Sequence, residues 1–569
     1  MRERIIILGA GVMQGPAIRI AKELGFYTVV VDGSSAAPCI AMADQFEQID
    51  LKDKEGIEAF ARSLRASGGL GGIMTAGTDF SATVAWVAEK LGLPGIPYES
   101  ALNASDKTRM RSCFKQAGIP SPEFIGVAQE EFFTTEYCCP ADSLELHGGI
   151  KDSCTKTPWY SVSSVVNSSL LNTPPLSFPL VIKPVDNMGG RGCRRADTIK
   201  EFHEAAEDAL RFSRSGRAIV EAFMDGPEFS VDAIVYHGEI TICGLADRHI
   251  FFPPYFIEMG HTMPTAIAPE QQTALLETFC DGVRALGLAG EHSIGAAKGD
   301  IKLTSQGPMI GEIAARLSGG YMSGWTYPYA SGVEPIRAAI LAAMGRKPDN
   351  LIPLKTWTCA ERAFISIPGT VKSISGTETA RGMPHIRDLF FRTAAGDKVG
   401  FPQNNVSKCG NVISAAPDRL TAVESAENAV RSILIRLDPD DGETAAFLAA
   451  SSHFPPDAFQ LSAELRADLE KLPDPSSLIS GPRSSIPSSL FPFPAFTGSG
   501  LRDYVGRTVA ESLQAVRELT GLSLPEISVE TLKSSDNIGS FLGKSFWTAL
   551  VRGGYQGAVY YIDQWRGEH

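Results

Sequence analysis

GAAKGDIKLTSQGPMIGEIAARLSGGY, residues 295–321, decides how this chain is read. Ile301 and Leu303 alternate with polar neighbours. Ser305-Gln306-Gly307-Pro308 is turn chemistry, and Met309, Ile310 and Ile313 resume the apolar run. The spacing predicts two strands joined by a turn, with a Gly-rich exit. Antiparallel pairing across the turn would bring Asp300 near Glu312, with Lys298 and Arg316 flanking them. Two carboxylates and two cations on a rigid hairpin suit Mg²⁺ and a polyphosphate, because Mg²⁺ takes hard oxygen ligands from one or two carboxylates plus substrate phosphates. A solvated hairpin with ordinary surface charges explains the same residues equally well at this point.

Outside that stretch, the bulk numbers exclude several classes. At 569 residues the chain is too long for one typical domain, and length alone suggests about three or four. The apolar fraction of 44% and charged fraction of 21% are those of a globular protein with an ample core. A net charge of −13 argues against general binding to nucleic acid or to an anionic membrane. A bound nucleotide remains compatible, because local cations and Mg²⁺ offset its charge. No apolar run is long enough to span a membrane. The start, MRERIIILGAGVMQG, runs straight into a glycine turn and reads as a buried strand rather than a signal peptide. The ten cysteines form no CxxC pair and no regular framework; Cys138-Cys139 is the one adjacent pair. Reduced thiols in a cytoplasmic protein are expected.

The N-terminal part has βαβ grammar. Strands are expected at Arg4–Leu8, Tyr27–Val31, up to Asp50 and at Gly72–Thr75, with helices between them, and the sheet should be parallel. Gly9, Gly11 and Gly15 with Asp32 look like a dinucleotide fingerprint, but the third glycine is one position late; a tight turn explains them as well. A boundary falls near Glu99. Ser105 is expected to cap a helix carrying Lys107 and Arg109. Residues 129–177, rich in Ser, Thr, Pro and Cys, read as an insertion or long loop. FPLVIKPV, residues 178–185, is a strand in which Lys183 needs an anionic partner. DNMGGRGCRR follows, where Gly189, Gly190 and Gly192 would let the backbone approach a phosphate and Arg191 adds charge. A flexible turn is the competing reading. A helix over Thr198–Phe212, a strand over Ala218–Phe223 and a turn at Asp225-Gly226-Pro227 come next, with Glu228 opening another strand.

Five motifs now stand in order: ILGAGVMQGPAI, SDKTRMR, VIKPVDNMGGRG, VEAFMDGPEFSVD and KGDIKL…GEIAAR. Together they resemble the ATP-grasp superfamily, and within it the carbamoyl-phosphate-synthase-like branch of carboxylate–amine ligases, which includes amino-acid ligases. The similarity covers residues 1–438. It implies an α/β chain with a pre-ATP-grasp parallel βαβ domain at 1–100, an ATP-grasp domain at 101–349, a β-rich C-terminal domain at 350–438, and an extension of unknown role at 439–569. By this resemblance the N-terminal glycines are scaffold and no NAD site.

The resemblance also implies roles. Lys107 and Lys183 would bind the ATP phosphates, with Gly189, Gly190, Arg191 and Gly192 folded over them. Glu221, Ala222, Phe223 and Met224 would meet adenine, partly through backbone groups, and Glu228 would hold the ribose. Asp300 and Glu312 would hold Mg²⁺, with Mn²⁺ as the alternative. Lys298 would neutralise the transferring phosphoryl group and Arg316 the acyl phosphate or substrate carboxylate. The family usually reads Glu-x-Asn at the second metal position; here Ala314 stands in place of the Asn, which weakens a second ion's site. Ser or Thr often stands where Gly190 does. Between the motifs, ADRHIFFPPYFIEMGHTMP carries Arg248, Glu258 and His261, in a region that lines the substrate pocket of similar ligases. A neutral His261 would accept the proton of an attacking amine; a satisfied structural histidine is an equal reading.

Strands are expected over Phe364–Val371 and through Ile413, closed by a helix near Ala422–Arg436. Pro473–Pro494 reads as a linker. Leu501–Leu519 has helical spacing, and GAVYYI, residues 557–562, looks like a strand, which makes the extension a small α+β unit. The expected function is ATP- and Mg²⁺-dependent joining of a small-molecule carboxylate to an amine through an acyl phosphate, in a homo-oligomer or a monomer, with no nucleic acid or membrane partner. Bicarbonate activation and an ATP-binding regulatory protein with weakened catalysis are the competitors.

Overall fold

The computed structural model describes residues 2–128, 176–450, 454–472, 496, 499–521 and 543–568. The expected insertion, apart from residues 176 and 177, and the Ser/Pro-rich 473–494 segment lie outside the described residues. So does Cys138-Cys139.

Near the N-terminus, strands β1 (Arg4–Leu8), β2 (Tyr27–Asp32), β3 (Gln45–Gln48) and β4 (Leu70–Thr75) form a parallel sheet in the order β3-β2-β1-β4. The unbroken apolar run of β1 follows from burial on both faces. Ile5 and Ile7 pack with Ala17, Ile18 and Ala21 of the helix Gly15–Glu23. Ile6 and Leu8 pack with Ile57, Ala61 and Leu64 of the helix Lys54–Ala66 on the other side. The glycine turn after β1 is filled by its own chain. Asp32 accepts from the Ala10 and Ser34 N–H groups, each at 2.8 Å. The buried Gln14 side chain accepts from the Gly11 N–H at 3.0 Å and donates to the Ala76 carbonyl. The groups a dinucleotide would need are committed to the loop itself.

The middle of the chain builds two antiparallel sheets. The smaller contains β5 (Phe124–Ala128), β6 (Leu180–Pro184), β7 (Arg194–Ala196) and β8 (Arg217–Ala222), in the order β5-β8-β6-β7. The larger runs β13-β12-β9-β10-β11-β14-β18-β16. Its strands are β9 (Glu228–Tyr236), β10 (Glu239–Phe251), β11 (Ile257–Met263), β12 (Ile294–Thr304), β13 (Gly307–Ala314), β14 (Thr358–Phe364), β16 (Ile386–Phe391) and β18 (Gly410–Ala416). A third sheet joins β17 (Lys398–Val399), β15 (Gly369–Ser375) and β19 (Leu434–Leu437).

β12 and β13 form the hairpin expected from residues 295–321. Asp300 lies opposite Glu312, and Lys298 opposite Ala314. Period-2 alternation therefore puts Lys298, Asp300, Glu312 and Ala314 on one face.

Four local expectations change. The helix Lys107–Ala117 is capped by Asp106, whose carboxylate accepts from the Thr108 and Arg109 N–H groups; Ser105 closes the preceding helix, Tyr98–Ser105. A carboxylate is the stronger cap because it also meets the positive helix end. Residues 364–371 are not one strand: β14 ends at Phe364 and β15 starts at Gly369. The helix near Ala422–Arg436 is Arg419–Ser432, followed by β19.

GAVYYI is helical, within Lys544–Glu568, and this helix is broken at Gly554 with φ 62°. A six-residue apolar run buried all round carries no period that separates strand from helix. Ala558, Val559 and Ile562 pack against Val509, Leu513 and Val516 of the helix Val509–Thr520. Among the described residues beyond 438 the regular elements are helices, and no helix is long and apolar enough to cross a membrane.

Candidate active site

A cavity of about 540 Å³ opens between the small sheet and the large one. Every residue singled out above as a candidate lines it except Gly192. Gly192 sits at φ 68°, and a Cβ there would lie 2.9 Å from Phe212 Cβ and 3.1 Å from the Asp208 carbonyl oxygen. Its missing side chain lets the loop pack on the helix Ile199–Phe212.

At one end stand Lys107 and Lys183. Lys107 Nζ donates to the Asn187 carbonyl at 2.8 Å and lies 4.0 Å from Glu312 Oε2. Burial disfavours its charge, but Glu312 and Asp79 more than restore it and raise its pKa. Lys183 finds its anionic partner inside the protein: its Nζ is 2.6 Å from Glu221 Oε2. Arg111 Nε approaches the other oxygen at 2.9 Å, and Arg111 also donates to the Gly311 carbonyl at 2.6 Å. Glu221 is 1% exposed and Arg111 0%. Burial pushes the Glu221 carboxyl up, and the two cations hold it below its ordinary value. The Glu221 side chain thus ties β8 to β6 and to the helix Lys107–Ala117, while Ala222, Phe223 and Met224 continue along the cavity. Lys302 donates to the Met224 carbonyl at 3.0 Å and lies 5.2 Å from the Phe223 ring centroid.

At the other end the charges interlock. Asp300 accepts from Ser230 Oγ at 3.0 Å and pairs with Arg248 at 3.0 Å and with Lys298. Arg248 also pairs with Glu228 and, at 2.8 Å, with Glu258. His261 is 2% exposed. Its Nδ1 is 2.9 Å from Glu361 Oε2, which places the ring proton on Nδ1. Among the described residues its Nε2 has no hydrogen-bond partner, and it lies 3.5 Å from Glu258 Oε2. Burial raises the Glu258 carboxyl, but the cationic groups beside it, Arg248 and Lys408 among them, outweigh burial and hold it low.

Arg316 differs from its neighbours. It is 8% exposed, donates one N–H to the Leu317 carbonyl at 3.0 Å, and its buried Nε has no hydrogen-bond partner. Among the described residues no carboxylate lies within ion-pair distance of it. The turn after it, Ser318-Gly319-Gly320, is pinned by Asp232, which accepts from the Ser318 N–H at 2.9 Å and from the Ser318 hydroxyl. Burial pushes Asp232 up to about 6.

The donor set suits a hard cation that draws further ligands from phosphate and water. Glu312 has a side chain 31% exposed. Burial opposes its charge, yet Lys107, Lys298, Lys183 and Arg316 hold its carboxyl at about 2, fully ionised at neutral pH. Asp300 is the second carboxylate. Ala314, opposite Lys298, contributes no side-chain oxygen. Among the described residues no cluster of three or more His, Cys, Asp or Glu forms a closed metal cage.

Several lining residues carried no sequence signal strong enough to single them out. Asp79 ends the glycine turn after β4, and burial raises its pKa beside Arg316 and Lys107. Arg392, Asn405 and Lys408 lie in the β-rich region, far along the chain from the motifs. Arg111 was findable: it stands four residues after Lys107, on the same helix face.

Three family models match the chain. An ATP-grasp N-terminal domain matches residues 18–95, an ATP-grasp domain 176–323, and L-amino acid ligase C-terminal domain 2 residues 363–438. The uncharacterized protein y4rH of Sinorhizobium fredii is 23% identical over 447 residues, 77% of this chain and 84% of that protein. Human carnosine synthase 1 is 22% identical over 367 residues, 61% of this chain but 40% of the human protein. The chain thus spans about two fifths of that relative's length. The crystal structure of L-amino acid ligase from Bacillus licheniformis superposes with a TM-score of 0.61 at 19% identity, covering 77% of this chain and 99% of that one. With the hairpin, the glycine loop and the two-sheet cavity in place, the chain belongs to the ATP-grasp superfamily, among its carboxylate–amine ligases.

Proposed function

We propose that this chain is an ATP- and divalent-metal-dependent ligase that joins a small-molecule carboxylate to an amine through an acyl phosphate. The observation that carries this reading is Arg316, a buried guanidinium with no carboxylate within ion-pair distance among the described residues, in one cavity with the Asp300–Glu312 hairpin and the Lys107 and Lys183 cations. A guanidinium held out of water with free donor capacity is a carboxylate receptor awaiting its anion.

The cavity's residues divide the work. Lys107 and Lys183 hold the phosphate chain, with Gly189, Gly190 and Arg191 above it. Phe223, Met224 and the ring-facing Lys302 take the base, and Glu228 the ribose. Arg316 orients the substrate carboxylate so that its oxygen attacks the γ-phosphorus, and ADP leaves. Lys298 balances charge on the transferring group. The amine then attacks the acyl carbon, phosphate leaves, and His261 Nε2 takes the amine's proton while Glu361 steadies the imidazolium. Asp300 and Glu312 would hold Mg²⁺ or Mn²⁺, which supplies charge neutralisation between the phosphates. Catalysis here is positioning and electrostatics. Amino acids are the substrate class that the relatives' names suggest, and Arg392, which has no carboxylate partner among the described residues, is placed for the carboxylate of an amino-acid nucleophile.

Oxygen transfer tests the chemistry. A substrate carboxylate labelled with ¹⁸O should deliver one labelled oxygen to the released phosphate. Phosphate with no label, during amide formation, would sink the acyl phosphate.

A further inference from the structure

The region beyond residue 438 lies outside all three matched regions, yet two of its aromatic rings pack on the two segments that supply the cavity-lining Phe256 and Asn405. The Tyr504 ring centroid is 4.8 Å from Phe401 and 6.1 Å from Phe252. The Phe454 ring is 5.5 Å from Phe401 and 4.7 Å from Tyr255. Tyr504 is itself anchored: its hydroxyl lies 2.6 Å from the Pro456 carbonyl oxygen and 2.9 Å from that of Arg552.

Those contacts converge on two short segments that hold the glycine loop. One is the tip between β10 and β11. Here Phe252 sits at φ 65°, where a bulky side chain is held only by its surroundings. This tip accepts the Arg195 N–H at the Pro254 carbonyl, 2.8 Å. The other is the 401–408 loop. The Asn405 N–H donates to the Gly189 carbonyl at 2.8 Å, and Asn405 Oδ1 accepts the Glu258 N–H at 2.8 Å. Lys408 Nζ donates to the Glu258 carbonyl at 2.6 Å. One loop therefore grips both the glycine loop and the strand that carries Glu258 and His261.

We propose that the C-terminal extension is a brace for active-site closure: Tyr504 and Phe454 fix the 401–408 loop, and Asn405 passes that constraint to Gly189 and Glu258. Asn405 is a positioning residue in this scheme. The glycine loop needs help because Gly189, Gly190 and Gly192 all take positive φ, at 68°, 74° and 68°, and glycine has the most conformational freedom to lose on ordering. A pre-formed backbone partner lowers that cost before the nucleotide binds. A loose loop would also admit water, which would take the amine's place on the acyl phosphate and return the carboxylate and phosphate.

The test uses the full chain and three variants, Asn405→Ala, Asn405→Asp and Tyr504→Ala. Amide hydrogen exchange is followed at residues 186–195 and 256–260, without ligand and with Mg-ATP. N405A removes the Oδ1 acceptor of the Glu258 N–H and keeps the backbone N–H that donates to Gly189, so exchange should speed about fivefold at 256–260 and stay near the parent at 186–195. N405D keeps the acceptor and should stay near the parent. Y504A should loosen the same two segments from a distance. If Y504A loosens the whole chain, Phe454→Leu carries the same comparison. With substrates, Y504A should raise the KM for ATP and the ratio of phosphate released to amide formed, N405A should raise that ratio without raising the KM for ATP, and N405D should hold both. Parent-like exchange at 256–260 in N405A, or at 186–195 in both extension variants, would overturn the brace. The ratio rests on the ligase reading and the exchange does not, so failure of one is distinguishable from failure of the other.

Discussion

Glu221 shows how one residue can serve structure while lying in the motif that points to function. Its carboxylate is buried between Lys183 and Arg111. Removing one partner of a buried ion pair strands a charge, which costs about 3–5 kcal/mol. Arg111→Met should therefore lower the unfolding free energy, read from denaturant titration, by that order and leave Lys183 drawn wholly onto Glu221; an unchanged free energy would show that Lys183 alone satisfies the carboxylate. A second residue sets a pH response. The His249 ring is 2.9 Å from Thr262 Oγ1, and burial, with Arg362 nearby, pushes it down to about 3. An unfolded imidazole titrates near 6.5, at about 6.5 in model peptides. Below that, the unfolded chain binds a proton that the folded chain refuses. His249 thus contributes stability that is whole above about pH 6.5 and is lost as pH falls toward 3, at a limiting slope of about 1.4 kcal/mol per pH unit. His249→Gln should flatten stability against pH between about pH 4 and 6; a parent-like slope would contradict the assignment. Lys183 in an apolar strand was legible from sequence as a residue needing an anion. Which anion it meets was not, because Glu221 and Arg111 reach it from separate elements.

At the scale of elements, the hairpin was the most legible part of the chain. Alternation and a four-residue turn signal define the two strands, but a bulge that leaves Gly311 unpaired, between Ile310 and Glu312, sets the register in which Asp300 meets Glu312 and Ala314 meets Lys298. Ala314→Asn should supply the missing oxygen and lower the Mn²⁺ concentration that half-saturates the site, read by electron paramagnetic resonance; an unchanged titration would mean that water or substrate completes that position. The glycine loop makes a sharper comparison. A Cβ at Gly192 would strike Phe212 at 2.9 Å, whereas at Gly190 the nearest atom is 3.7 Å away. Both take positive φ, at a cost of about 1 kcal/mol or more for a side chain. Gly192→Ala should therefore raise the KM for ATP more than Gly190→Ala does, and the reverse order would show that close approach of the nucleotide at Gly190 outweighs packing at Gly192. The glycines were visible in the sequence, but their division of labour depends on the helix Ile199–Phe212 behind them. The helix containing GAVYYI was illegible for a related reason: a short run buried on every side has no polar face to mark its period.

At the scale of the molecule, βαβ alternation was enough to anticipate a parallel N-terminal sheet, and the order of five motifs to anticipate an ATP-grasp domain with a β-rich domain after it. What the motif order could not show is how distant segments close that cavity. Arg392, Asn405 and Lys408 come from beyond the matched ATP-grasp domain and line the same space as Lys107 and Lys183. Such contacts are set by tertiary packing and leave no local pattern. The most direct test of the whole account is the stoichiometry of turnover. ADP, phosphate and amide would be quantified with Mg-ATP against a panel of amino acids, other carboxylates, amines and bicarbonate, for the parent chain and for Glu312→Gln. The ligase reading predicts equal amounts of ADP, phosphate and amide with a particular carboxylate and amine, and loss of about 100-fold or more in the variant, as expected when a preorganised charge at the transferring group is removed. Turnover that depends on bicarbonate without amide, or ATP binding with no turnover across the panel, would contradict it.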